Sequence, residues 1–293
     1  MHYIVSLLTE PKKVGLNETS VNSLLAQWNG IDLKWLNPEC AAEFRIERIP
    51  SDYIVMWKEF NKNFIDLVIT PHHLRKKKLL VADMDSTIIE QECLDELAQN
   101  AGIGDYVADI TRQAMNGEIP FDRALHERVA LLAGLSSATI EDTWQNRITF
   151  TSGARQLIAT LKFNGCYCVL ISGGFTAFTS RVSEALGFHE HFANVLLVNG
   201  DKLTGKVQRP VLDKEVKVKV LEQLTTQLGL TSAETLAVGD GANDLGMIKA
   251  AGLGVAFRSK PIVASNSDVR IEHSDLTSLL YLQGIKYADF VKI

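Results

Sequence analysis

The chain has no run of roughly 18 apolar residues, the length a bilayer-spanning helix requires, so no membrane-spanning helix is expected. Cysteine is scarce. The four present, Cys40, Cys93, Cys166 and Cys168, form no C-x-x-C pair and have no histidine cluster beside them. That pattern argues against a structural zinc site or a disulfide framework. They read as reduced packing residues of a cytoplasmic protein. Charge of one sign is also lacking: the formal net charge is −5, which gives no bias toward nucleic acid or an anionic membrane. The first residues carry neither the basic n-region nor the small-residue cleavage site of a secretory signal. Internal repeats and low-complexity tracts are absent. What is left is an ordinary globular composition, 46% apolar and 22% charged, spread over 293 residues. That length accommodates one large domain and one small one.

Residues 1–70 read as a small α/β unit. His2–Leu8 is strand-like. Asn17–Trp28 has helical spacing at Val21, Leu24, Leu25 and Trp28, with Asn17 or Thr19 as cap. Cys40–Arg48 alternates as a strand, Tyr53–Asn61 as a helix, and Phe64–Ile69 is a short apolar strand. The stretch from Pro71 to Lys78 has a proline, a basic run and no periodicity, and is expected to be a solvated linker. The expected division is therefore 1–78 and 79–293.

After Leu79 short apolar runs appear at Leu79–Ala82, Cys166–Ile171, Val195–Val198 and Thr235–Val238, separated by helical segments. This alternation predicts a parallel sheet with flanking helices. In such folds ligands lie beyond the carboxyl ends of the strands. Three of these runs end in polar residues: Asp83-Met-Asp85-Ser-Thr87, Ser172-Gly173-Gly174, and Gly239-Asp240-Gly-Ala-Asn243-Asp244.

Brought together, Asp83, Asp85, Asp240 and Asp244 need a cation. An all-oxygen set without His or Cys suits Mg²⁺ rather than zinc. Asp83 is the candidate nucleophile for attack on phosphorus. Asp85 is the candidate general acid and then base, with its main-chain carbonyl open to the metal. Ser172 and the amides at Gly173 and Gly174 suit phosphoryl oxygens, helped by the N-terminus of the helix expected over Phe175–Leu186. Asp213–Leu228 has an apolar helical face at Val216, Val220, Leu221, Leu224 and Leu228. At about 100° per residue Lys217 falls inside that face and Lys219 outside it. An inward lysine wants an anion, so Lys217 is the candidate phosphate contact.

These residues resemble the signature of the haloacid dehalogenase superfamily: D-x-D-x-T at Asp83–Thr87, Ser172, Lys217, and G-D-x-x-x-D at Gly239–Asp244. The resemblance implies a Rossmann-like α/β core and a helical cap inserted at about 93–150. Asp83, Asp85 and Asp240 would be the metal ligands, with Asp244 supporting them. The longer stretches Asp83–Glu92, Phe121–Arg128, Ser172–Phe175 and Val238–Asp244 resemble the phosphoserine phosphatases within that superfamily. By that similarity Glu92 would bind the substrate amine, Arg128 its carboxylate, and Asn243 the phosphate side of O-phospho-L-serine. Helical spacing adds to this for Arg128. It lies about 20° from Phe121, at the edge of an apolar face formed by Phe121, Leu125, Val129 and Leu132. Other readings stay open here: another small phosphomonoester such as phosphothreonine or phosphohomoserine, or an amino-acid-sensing binding protein with an inert core. Members often carry an ACT-like domain where residues 1–70 lie. Regulation, packing and dimerisation as a homodimer are all open roles for it.

Overall fold

The computed structural model describes residues 2–10, 15–116 and 118–293, with Met115 and Phe121 described by their backbone. The Phe121 end of the expected apolar face therefore lies outside the described side chains.

The first sheet is built from β1 (Tyr3–Leu8), α1 (Glu18–Gln27), β2 (Ile31–Asn37), β3 (Ala41–Ile46), α2 (Tyr53–Lys62) and β4 (Asp66–Pro71). Its strands pair in the order β2-β3-β1-β4, with every pairing antiparallel. This is the split β-α-β arrangement, in which the chain order strand-helix-strand is repeated and interleaved. Asn17 caps α1, its side-chain oxygen accepting the Thr19 N–H at 2.8 Å. Val21 and Leu24 of α1 then meet Val5, Leu7, Phe44 and Leu67 in a closed core. The strand β2 was not expected. It is an edge strand whose residues are mostly exposed or half-buried, so it lacks the burial that writes a clear apolar period.

The second sheet is parallel throughout, in the order β12-β11-β10-β5-β6-β7. In chain order it is made by β5 (Leu79–Asp83), β6 (Tyr167–Phe175), β7 (Glu190–Asn194), β10 (Thr235–Gly239), β11 (Leu253–Phe257) and β12 (Val269–Ile271). Both faces are covered. Leu80, Ala82, Leu170, Leu236 and Val238 meet α7 (Ala154–Phe163), α8 (Thr176–Leu186) and α12 (Ser278–Tyr281). Leu79, Val81, Val169, Ile171 and Ala237 meet α9 (Lys214–Gln227) and α10 (Leu245–Ala250). The short helix α11 (Pro261–Ser265) joins β11 to β12. Burial on both faces explains why β5, β6 and β10 read as continuous apolar runs rather than as alternation.

The run at Val195–Val198 is a correction. It does not join the parallel sheet. Leu196–Asn199 is β8, paired antiparallel with β9 (Lys202–Val207) as a separate hairpin, and Val195, Leu197 and Val198 are exposed. The sheet position goes to β7, whose side chains are mostly half-buried at an edge and gave no apolar signal. The hairpin instead reaches the helical insertion, where Leu203 exchanges backbone hydrogen bonds with Gly134 and Leu135.

That insertion consists of α3 (Cys93–Asn100), α4 (Gly104–Met115), α5 (Phe121–Ala130) and α6 (Ala138–Arg147). The chain leaves the sheet domain at Ile89 and returns at Phe150, and these two residues bridge to each other. Both ends of the cap are thereby fixed to one point above β5.

The basic stretch before β5 is not simply solvated. Arg75 makes a bidentate pair with Glu43 (2.6 and 3.2 Å) and donates to Leu282 O. Lys77 is buried and donates to Leu74 O and Ala233 O, while Lys78 pairs with Glu234 at 2.8 Å. Asp66 on β4 accepts the N–H groups of Glu272, His273 and Ser274. The two sheets are thus joined by specific polar contacts on both sides of the connection.

Candidate active site

Strand β5 lies at the centre of the parallel sheet, with β10 on one side and β6 on the other. The three polar strand ends therefore meet in one crevice at the switch point of the sheet. After Asp83 the backbone turns sharply through Met84–Ile88. Ser86 takes a left-handed φ of 53°, which redirects the chain into the cap.

Four carboxylates and one lysine form the floor. Lys217, 1% exposed, donates to Asp83 Oδ1 and to Asp244 Oδ1, each at 2.7 Å. Asp244 Oδ2 accepts the N–H groups of Asp240 (3.1 Å) and Gly241 (3.0 Å). Gly239 is required for this packing, because a Cβ there would lie 2.4 Å from Asp244 Cγ. Thr87 donates to Asp240 Oδ1 at 3.2 Å, whereas the buried Asp240 Oδ2 has no partner among the described residues.

The electrostatics follow from crowding. Burial, then the Asp244 charge, pushes the Asp83 carboxyl well above its ordinary value, against the opposing pull of Lys217. Burial and Asp244 also push Asp240 up to about 7. Burial works to lower the Lys217 pKa, but Asp244 and Asp83 outweigh it and the net direction is upward. One lysine does not balance this many buried carboxylates.

Oxygens of Asp83, Asp240 and Asp244 lie within 4.8 Å of one another. With an unpartnered Asp240 oxygen facing this group, the residues fit a hard divalent cation with oxygen ligands. The Asp85 carboxylate is not part of that group. Its Oδ2 accepts from Ser172 Oγ (2.7 Å) and its Oδ1 from the Cys93 N–H (2.8 Å). Any contribution from Asp85 to a cation would come from its main chain, as the sequence reading allowed.

Ser172 Oγ in turn accepts the Gly174 N–H at 2.8 Å. Asn194 fastens this loop to the rest of the fold, donating to Gly173 O and accepting from the Leu212 N–H. A small cavity lies above the floor, lined by Asp83, Asp85, Glu92, Gly173, Gly174, Asn243, Arg128, Leu94 and Leu125. The cap supplies the last three, so the cavity exists only where cap and core meet. Ser86 Oγ donates to Glu92 Oε1 at 2.7 Å, and burial, then the Asp85 and Asp240 charges, pushes Glu92 up to about 8. Arg128 is 3% exposed. The Asn243 Oδ1 is buried with no partner among the described residues.

All the residues singled out from the sequence thus surround one cavity or its floor. Four contributors were not legible there: the Cys93 N–H, Ser86, Thr87 as an Asp240 partner, and Asn194. Thr87 was at least within the D-x-D-x-T stretch. Ser86 lies in that stretch too, at its variable position, while Cys93 acts through its backbone and Asn194 from the end of a strand distant in sequence, for which no spacing signal exists.

Comparisons with known proteins agree with this geometry. The family model for haloacid dehalogenase-like hydrolases matches residues 80–249. A probable phosphoserine phosphatase of Schizosaccharomyces pombe is 49% identical over 72% of this chain and 71% of its own length. Two other curated relatives are longer, and the match spans 65% and 54% of them. A haloacid dehalogenase family hydrolase from Salmonella enterica superposes with a TM-score of 0.84 at 26% identity, covering 96% of this chain and 98% of that one. A phospho-aspartyl intermediate analogue of phosphoserine phosphatase superposes with a TM-score of 0.68 at 42% identity, covering 70% and 98%. In sequence, in fold and in the arrangement of its strand-end carboxylates, the chain belongs to the haloacid dehalogenase-like hydrolases.

Proposed function

We infer that this chain hydrolyses O-phospho-L-serine to L-serine and inorganic phosphate, the closing reaction of serine synthesis from a phosphorylated precursor. One observation carries the reading: a single small cavity holds the Asp83 carboxylate at its floor, and the acid Glu92 and the cation Arg128 at its cap side. Glu92 and Arg128 complement an ammonium and a carboxylate on one small molecule, and Asp83 stands where its phosphoryl group would be attacked. A fork-shaped guanidinium suits the carboxylate.

Lys217 holds Asp83 Oδ1 and leaves Oδ2 to attack phosphorus. The Oδ2–P bond forms as the P–O bond to the serine side chain breaks. Asp85 gives its proton to the departing alkoxide. Ser172, released from Asp85, and the N–H groups at Gly173 and Gly174 take the phosphoryl oxygens. In the second half Asp85 removes a proton from the water that attacks the aspartyl-phosphate, and the Asp83–P bond breaks to release phosphate. Asp83, Asp240 and the Asp85 main chain would hold Mg²⁺, with Asp244 behind them. When bound, the ion offsets the repulsion between the carboxylate nucleophile and the phosphate dianion.

Residues 1–78 form a small α/β domain of ACT-like type in this reading, and 79–293 the catalytic domain with its cap at about 93–150. In this reading the enzyme works in the cytoplasm, where its four free cysteines stay reduced. The test is a Mg²⁺-supplemented panel of phosphoserine, phosphothreonine, phosphohomoserine and p-nitrophenyl phosphate on wild type and Asp83→Asn. Phosphoserine should be the best substrate, and Asp83→Asn should lose about a thousandfold or more of the activity. If phosphoserine is turned over no better than p-nitrophenyl phosphate, the amino-acid specificity is wrong. Unchanged turnover in Asp83→Asn removes the nucleophile.

A further inference from the structure

We propose that Thr111 and Asp95 are positioning residues for Arg128, and that this three-residue chain within the cap sets the preference for a substrate carboxylate. The proposal deepens the reading above and rests on Arg128 as the carboxylate contact.

The guanidinium is anchored at two points on different helices. Its Nε donates to Ala124 O, one turn back on α5, at 3.1 Å, and its Nη1 donates to Thr111 Oγ1 on α4 at 2.8 Å. Two anchors fix the plane of the fork as well as its position. Among the described residues these two bonds use Nε and Nη1 and none runs from Nη2, and Arg128 lines the cavity. The free edge of the guanidinium is thus the part offered to a ligand.

Hydrogen-bond chemistry sets the direction of the chain. Arginine only donates, so Thr111 Oγ1 must accept from Nη1. The single hydroxyl proton is left for an acceptor, and the short contact to Asp95 Oδ1 on α3 supplies one. Val107 O, at 3.1 Å, is the longer alternative. The order is therefore Arg128 to Thr111 to Asp95, and it crosses α5, α4 and α3. Interposing Thr111 has a consequence for charge. A direct Asp95–Arg128 pair would occupy the fork and neutralise it. A hydroxyl between them lets Asp95 offset the cost of a buried cation while the fork stays open.

Thr111 is 3% exposed and Asp95 is half-buried, and neither lines the cavity. Their effect on catalysis must pass through Arg128. It should therefore appear with substrates that carry a carboxylate and vanish with those that do not.

The experiment compares kcat/KM for O-phospho-L-serine with that for O-phosphoethanolamine, which keeps phosphate and amine but has no carboxylate. It is run on the intact Mg²⁺-loaded wild type and on Arg128→Ala, Thr111→Val, Thr111→Ser and Asp95→Ala. Arg128→Ala should collapse the preference for phosphoserine. Thr111→Val should lower it about tenfold, the worth of one charge-assisted hydrogen bond. That loss should lie in KM, with kcat within about threefold, because the reacting atoms are untouched. Thr111→Ser keeps the hydroxyl and should restore the preference. Asp95→Ala should shift it in the same direction as Thr111→Val, and it stands as an independent variant if Thr111→Val folds poorly. Equal losses on both substrates, or a Thr111→Ser variant as deficient as Thr111→Val, would make Thr111 a packing residue and overturn the proposal. An unchanged preference in Arg128→Ala overturns the carboxylate reading beneath it. A collapse in Arg128→Ala with none in Thr111→Val or Asp95→Ala overturns the positioning chain alone.

Discussion

Replacing Lys217 by methionine keeps the length and apolar bulk of the side chain and removes only the ammonium. In the folded protein that ammonium is 1% exposed and makes two hydrogen bonds of 2.7 Å to Asp83 and Asp244. Removing one partner of a buried ion pair costs about 3–5 kcal/mol, since the remaining charge is left uncompensated. For a chain of this size the cost corresponds to a fall of roughly 10 °C in thermal midpoint.

The pH dependence of that fall gives the sharper check. In the wild type Lys217 has a raised pKa, so its contribution is fully present below the unfolded value of about 10.4 and does not change between pH 5.5 and 7.5. In the variant Asp83 loses the opposing lysine, while burial and the Asp244 charge still push its pKa upward. An acid with a raised folded-state pKa costs stability above its unfolded value, and the cost is relieved as pH falls and the group takes up a proton. The gap between Lys217→Met and wild type should therefore narrow from pH 7.5 to pH 5.5. The assay is thermal unfolding followed by far-ultraviolet circular dichroism in chelator, so that no divalent cation replaces the lost charge. A shift under about 3 °C, or a gap that widens as pH falls, would refute the account of Lys217 as the counter-ion of these two carboxylates.

Three further outcomes follow from the same geometry. With Glu92 pushed up to about 8, the substrate ammonium must displace a proton below that pH, so KM for phosphoserine relative to amine-free phospholactate should fall up to about tenfold per pH unit from 6 to 8. The trend should be absent in Glu92→Gln, and its survival there would assign the titration elsewhere. Millimolar Mg²⁺ should stabilise the wild type by about 2.7 kcal/mol at a hundredfold excess over Kd, read as a raised thermal midpoint, but should not stabilise Asp240→Asn; equal stabilisation of both would place the ion away from Asp240. At Gly174 a Cβ would lie 3.0 Å from both Asp85 Oδ2 and Ser172 Oγ, so Gly174→Ala should lower kcat/KM about 10- to 100-fold by displacing those groups. Its thermal midpoint should move by less than about 2 °C, and full activity in that variant would show the loop to be more tolerant than its packing implies.

The chemistry was legible in the sequence because a buried parallel strand leaves a strong local mark. Leu79–Ala82, Cys166–Ile171 and Thr235–Val238 are almost wholly apolar since both sides are covered, and the polar residue after each sits at the strand end, where folds of this kind bind ligands. Lys217 was readable for a related reason: a cation on the apolar face of a helix has few uses without an anion to meet it. Where burial is partial the mark fades. Edge strands β2 and β7 left no apolar period, and the apolar run at Val195–Val198 belongs to an exposed hairpin rather than to the sheet. The basic stretch at 72–78 read as solvated because sequence does not show that Glu43, Leu282 and Ala233 come within reach of it.

Sequence alone thus determined which residue types end the central strands, and with them the carboxylate cluster around Asp83 that we propose as the phosphoryl-transfer site. Tertiary structure decided how those residues divide their work. It turned the Asp85 carboxylate toward Ser172 and Cys93 and away from Asp240, bonded Lys217 to Asp244 as well as to Asp83, and hung Arg128 from Thr111 on a neighbouring helix. The physical reason is that a residue's period and neighbours are local properties, whereas the partner of a buried charge is set by whichever distant element the fold brings within 3 Å of it.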